Sequence, residues 1–140
     1  MADLTVTLTE EVTVDGHQYG GTKTLTIANI DEIFKRVVTC SASQTTTIAT
    51  FANDAYETVG AIDIEDSKYI RITNLDSSNP IELAIVTVNT NYQIKLNAGH
   101  SHILGSANDL MLAEADTNPS FGTMDDVKSI RVNPSGHAIR

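Results

Sequence analysis

Between Leu4 and Val14 the apolar residues Leu4, Val6, Leu8, Val12 and Val14 occupy only even positions, while Thr5, Thr7, Thr9, Glu11 and Thr13 hold odd ones. A repeat of two is that of an extended strand, whose successive side chains point to opposite faces; a helix would scatter this set around its axis. The run therefore predicts a strand with one buried and one wet face. Asp15-Gly16-His17-Gln18-Tyr19-Gly20-Gly21 is a cluster of turn formers, and alternation resumes at Thr24-Leu25-Thr26-Ile27, which predicts a hairpin or a corner between two sheets.

The same pattern recurs along the chain. Thr45 to Phe51, Tyr69 to Leu75, Ile81 to Val88, Tyr92 to Leu96, Ser101 to Leu104 and Val127 to Val132 are rich in β-branched residues, which fit a pleated sheet better than a helix. Asp76-Ser77-Ser78-Asn79-Pro80 predicts a turn that makes Tyr69 to Val88 an antiparallel hairpin, and Asn97-Ala98-Gly99-His100 predicts a tight turn. The segment 31–40 fits two periods, because Ile33, Phe34, Val37 and Val38 also share a helical face behind an Asp31 cap. Val37-Val38-Thr39-Cys40 is poor in helix formers, so a strand is expected there. Leu110-Met111-Leu112-Ala113 suits a short edge strand or a helical turn. His137-Ala138-Ile139-Arg140 begins one more strand, cut short in a way that suggests trimming or pairing with a neighbour. Some eight short strands predict a single all-β domain over residues 1–140, an antiparallel β-sandwich of jelly-roll type, with an immunoglobulin-like sandwich as the alternative.

With 140 residues, 41% of them apolar, the chain can bury a core without a metal or disulfide staple. Acidic residues outnumber basic ones 18 to 9, for a formal charge of -9, the wrong sign for tracking a phosphate backbone or an anionic leaflet. Nucleic-acid and membrane partners are therefore not expected. No stretch approaches the roughly 18 apolar residues of a membrane-spanning helix, and Met1 to Val6 lacks the basic and apolar regions of a signal peptide, so synthesis in a cytoplasm is expected.

Catalytic chemistry finds little support. Cys40 is the one cysteine, so neither an internal disulfide nor a paired thiol site can form, and its apolar neighbours predict an inert thiol. The serines and threonines lack a nucleophile elbow, and Gly20-Gly21 leads into a strand rather than a helix that could cradle phosphate. His100 and His102 sit two apart, the spacing of one strand face, but no third ligand is fixed beside them, so a turn-and-strand role outweighs a metal pair. Asp63, Glu65 and Asp66 lack the order of a calcium loop, and Asp125-Asp126 beside Lys128 reads as an exposed loop. Sugar stacking would rest on Tyr19, Tyr56 and Tyr92 in a chain with no Trp. The expectation is a non-enzymatic protein with no catalytic, cofactor-binding or metal-binding residues and no cofactor.

Three stretches carry a likeness beyond these arguments: Ile33-Phe34-Lys35-Arg36-Val37-Val38-Thr39, Lys68-Tyr69-Ile70-Arg71-Ile72-Thr73-Asn74-Leu75-Asp76, and Ile94-Lys95-Leu96-Asn97-Ala98-Gly99-His100-Ser101-His102-Ile103-Leu104. In order and spacing they resemble small virion proteins of tailed bacteriophages, particularly those of marine bacteria, and the likeness extends over most of the chain, including Val127 to Val132. Members of that family continue past the last turn with one further apolar strand, where this sequence reaches Arg140. The resemblance implies a structural protein that decorates or cements the capsid: a homo-oligomer, most simply a trimer, on the outer surface of the head against the major capsid protein. A neck, tail or fibre adaptor and a soluble β-sandwich binding module are the alternatives.

Overall fold

A computed structural model describes residues 1–54, 60–114, 117–134 and 136. Every regular element among them is a strand, so the chain is all-β. It divides into two units, Met1–Arg36 and Val37–Arg140.

The first unit is a long β-ribbon. Strand β1 (Ala2–Glu10) runs antiparallel to β4 (Gly21–Ile30). The short pair β2 (Thr13–Val14) and β3 (His17–Gln18) forms its tip. Of the two outcomes the sequence left open, the hairpin is the one observed. Asp15 and Gly16 close the tip with φ of 51° and 79°, the two left-handed residues that a two-residue turn needs to match strand twist, and Asp-Gly supplies them at little cost. Below the turn, the Gln18 side-chain oxygen accepts hydrogen bonds from the Val12 and Gly20 amides at 2.9 and 2.8 Å. A Cβ on Gly20 would run into the Glu10 carbonyl, so the two arms approach there as only glycine allows.

Register sorts the ribbon's side chains by parity. Leu4 faces Ile27, Val6 faces Leu25 and Leu8 faces Lys23, whereas Thr5, Thr7 and Thr9 face Thr26, Thr24 and Thr22. The predicted burial of the aliphatic face is only partial: Leu4, Val6 and Ile27 are half-buried, but Leu8 is 58% and Leu25 51% exposed. Two strands supply no second layer, so alternation alone cannot make a core.

Residues Asp31 to Thr39 form neither the expected strand nor the competing helix. Strand β4 is ended by Asn29-Ile30, with Asn29 in the left-handed region at φ 61°. Ile33, Phe34 and Val37 stay exposed, so neither period gains the buried face that would select it. The Arg36 guanidinium lies 5.3 Å from the centre of the Phe34 ring.

The second unit holds the core. Its five-stranded sheet has the order β6 (Ile62–Asp63), β5 (Thr46–Ala52), β11 (Val127–Asn133), β8 (Ile81–Thr87), β9 (Asn91–Leu96). All neighbours are antiparallel except the two-residue β5·β6 pair. A two-stranded sheet pairs β7 (Ile70–Thr73) with β10 (Ser101–Leu104). The expected hairpin from Tyr69 to Val88 is thus corrected: β7 and β8 belong to different sheets, and the Asp76 to Pro80 turn carries the chain between them. Likewise the Asn97 to His100 turn, with Gly99 at φ 76°, leads from β9 to β10 in the other sheet.

Strand β8 alternates between fully buried and more exposed positions, placing Ile81, Leu83, Ile85 and Thr87 inward. Those aliphatics cluster with Phe51, Leu96, Val127, Ile130 and Val132 from the same sheet, with Leu104 from the other, and with Cys40, Ile64 and Ala107 from connecting segments. Leu110 to Ala113 forms neither edge strand nor helical turn but a single bridge between Met111 and Asp125. The expected strand at His137 to Arg140 lies outside the described residues, as does Tyr56.

Candidate interaction surface

Chemistry-bearing side chains are scattered, and most serve the fold. His102 on β10 sits 3.0 Å through Nε2 from the Tyr92 hydroxyl, with the rings edge to face at 6.0 Å. This contact ties β9 to β10 across the two sheets, and burial pushes the Tyr92 hydroxyl above its ordinary pKa. His100 stands in the preceding turn, where its amide donates to the Asn97 carbonyl and its own carbonyl accepts from Asn74. Each histidine thus has a separate structural environment. Among the described residues no three His, Cys, Asp or Glu side chains gather closely enough to hold a metal ion.

The acidic groups fasten loops. Asp63 Oδ1 accepts from the amides of Glu65 at 2.9 Å and Asp66 at 3.4 Å. Asp125 accepts from the Asn89 side chain at 2.9 Å, and Asp126 from the Asp109 amide at 2.8 Å. Both are half-buried, so the exposed-loop expectation for Asp125-Asp126 is corrected: they anchor the segment bridging β10 and β11. Tyr19 is 68% exposed at the ribbon tip, with His17 edge-on at 6.4 Å.

Cys40 is 4% exposed. Burial raises its thiol pKa, and the Thr46 side-chain hydrogen bond offsets this only in part. A raised folded-state pKa favours the neutral thiol. The resulting stability is fully present below the ordinary thiol pKa and is lost as pH rises through the folded value. A thiol reagent is therefore expected to label native Cys40 at least about tenfold more slowly than the urea-unfolded chain, measured by absorbance of the released chromophore near pH 8; equal rates would show an open thiol.

Two surfaces remain. On the outward face of the five-stranded sheet, Ala84 lies in register between Arg131 of β11 and Gln93 of β9. Its short side chain leaves an open depression of about 310 Å³ walled by Glu82, Asn91, Gln93 and Arg131. Arg131 comes from β11, far along the chain from the consecutive strands β8 and β9, so no local signal could have found it.

The second surface is the ribbon. Leu4, Val6, Leu8, Leu25 and Ile27 make a continuous aliphatic face, and Val12, Val14 and Tyr19 extend exposed apolar surface to the tip. The opposite face is a double row of threonines, with Thr9 and Thr22 hydroxyls 3.4 Å apart. Among the described residues no third strand pairs with β1 or with β4. Exposed large aliphatics in a row, on a strand pair with two open edges, mark a surface made to be covered. Alternation revealed the aliphatic face in the sequence; the exposure of Leu8 and Leu25 on it was not visible there. Comparison with protein-family models, with curated proteins and with solved structures finds no match to this chain.

Proposed function

We propose that this chain is a non-enzymatic virion structural protein of a tailed bacteriophage, a decoration or cement protein that oligomerises on the outer surface of the head and binds the major capsid protein. The observation that carries the reading is the ribbon: an assembly element with an aliphatic face and two open edges, attached to a unit that has its own core. The resemblance of the three sequence stretches supports the virion assignment. Core residues drawn from both sheets of the second unit support a β-sandwich there, and the jelly-roll connectivity is part of the proposal.

Many weak contacts suit such a role. A cyclic oligomer repeats each contact and gains avidity without a large single interface. The charge of -9 places like charges on every copy, so subunit contacts are expected to be apolar or β-paired, with Asp63, Glu65 and Asp66 left in water.

The test is made on particles. The protein is expected in purified virions at a copy number matching the capsid lattice, and particles lacking it should lose infectivity faster on heating and osmotic shock. A few copies per particle would move the assignment to a neck, tail or fibre adaptor, and absence from particles would overturn it. The polar depression beside Ala84 favours the second reading, a soluble binding module.

A further inference from the structure

We infer that the N-terminal ribbons of three copies of this chain close into a six-stranded antiparallel barrel, with the aliphatic face inside and the threonine rows outside. The occupant of the ribbon's aliphatic face is therefore the same face of two further copies. This deepens the homo-oligomer part of the proposed function and names the surface that performs it.

Strand direction permits the closure. In each ribbon β1 and β4 point opposite ways. Rotation about an axis along the ribbon therefore brings β4 of one copy beside an antiparallel β1 of the next, and three copies return to the start. Closure pairs every open edge, the one arrangement that abolishes edges altogether. A twofold pairing through β1 would leave both β4 edges unpaired by a strand and Leu8 and Leu25 as exposed as they are in the single chain.

Side-chain parity agrees. Leu4, Val6, Leu8, Leu25 and Ile27 share one face, so an in-phase joint sends five aliphatic side chains per copy inward, filling a barrel narrower than the eight-stranded kind whose interior side chains just fill. No charged residue lies between Leu4 and Thr9 or between Thr24 and Ile30. The two charges on the inward face, Lys23 opposite Leu8 and Glu10 opposite Gly21, both lie at the tip end of the ribbon. At that mouth, Lys23 of one copy can meet Glu10 of the next, and the ring of three lysines and three glutamates is neutral.

Sedimentation and light scattering of the full chain test this. The wild-type protein is expected at three times the 15.1 kDa of one chain, unchanged in high salt. Val6→Lys, on the inward face, should give monomers with Cys40 still protected from a thiol reagent; Thr7→Lys, next door on the outward face, should stay trimeric. If Val6→Lys also exposes Cys40, the charge ring decides: Glu10→Lys should weaken assembly about tenfold, and adding Lys23→Glu should restore it. A wild-type monomer or dimer, equal masses for Val6→Lys and Thr7→Lys, or a charge pair without effect would overturn the barrel. A monomer that still binds capsids would sink the barrel alone, whereas a trimer absent from particles would sink the virion reading alone.

Discussion

Replacing Asn74 by alanine is expected to destabilise the second unit by about 3 kcal/mol, a large share of the roughly 5–15 kcal/mol that holds a domain folded. Asn74 follows β7 and is completely buried. Its side-chain NH2 donates to the carbonyls of Asn79 at 2.8 Å and Leu96 at 3.1 Å, and its Oδ1 accepts from the Asp76 amide at 3.1 Å. Its backbone pairs with the His100 carbonyl and the Gly99 amide, both at 3.0 Å. One residue thus holds the start of the β7–β8 crossover, the end of β9 and the β9–β10 turn. Alanine leaves the Leu96 and Asn79 carbonyls without these donors in a site too closed to hydrate them freely, and that loss costs more than the mean worth of a hydrogen bond. Aspartate keeps the shape but turns a carboxylate toward two carbonyl oxygens, so Asn74→Asp should be worse still near neutral pH. Holding its proton lets it donate again, which raises its folded-state pKa; stability should therefore be greatest below the ordinary Asp range and fall as pH rises. Urea titration followed by circular dichroism measures both, and a loss under about 1 kcal/mol for Asn74→Ala would show that the crossover does not depend on it.

Asn74 also explains where the sequence stopped being readable. Alternation is local, because it reports which face each residue of a strand occupies, and it located β5, β7, β8, β9, β10 and β11 within a residue or two, whereas the run Leu4 to Val14 is divided between β1 and β2 and β4 reaches beyond Thr24 to Ile27 at both ends. Pairing is not local. Tyr69 to Val88 has the outline of a hairpin, with two alternating runs around Asp-Ser-Ser-Asn-Pro, and nothing in those residues says that β7 will turn to β10 while β8 lies between β11 and β9. The deciding contacts come from Leu96, Gly99 and His100, some twenty residues onward. Residues 31–39 failed differently: their pattern suited two periods, and with Ile33, Phe34 and Val37 exposed neither period gains a buried face. Of the candidate residues, Cys40 was placed correctly in apolar surroundings because it closes the run Val37-Val38-Thr39-Cys40, whose Val38 also packs against the core. His102 and Tyr92 were noticed singly, and only the meeting of the two sheets joins them. For the ribbon, parity was visible from Leu4 to Val14, but exposure depends on what else packs there, and a strand pattern cannot say whether a second layer exists.

Leu83→Ala and Leu8→Ala remove the same atoms from the same face-alternating pattern, and their expected effects differ severalfold. Leu83 has no exposed surface. It lies on β8 between Ile94 of β9 and Val132 of β11, flanked on both sides by paired strands that cannot collapse into a vacated space without breaking register. The substitution therefore loses the transfer free energy and leaves most of a cavity, a combined cost of about 4 kcal/mol. For a unit of this size that lowers the melting temperature by on the order of 10–20 °C. Leu8 is 58% exposed in the single chain, so the same truncation there should cost under about 1 kcal/mol in a monomer, because the removed methyl groups were largely in water already. Thermal melts of both variants, with Cys40 labelling as a local reporter of the second unit, separate the cases. Leu83→Ala should advance melting and labelling together. Leu8→Ala should leave both nearly unchanged while weakening self-association, since its side chain gains burial only when ribbons meet. Equal losses of stability from the two substitutions in dilute monomer would mean that Leu8 is already packed within the single chain, and the ribbon would no longer be a surface awaiting a partner.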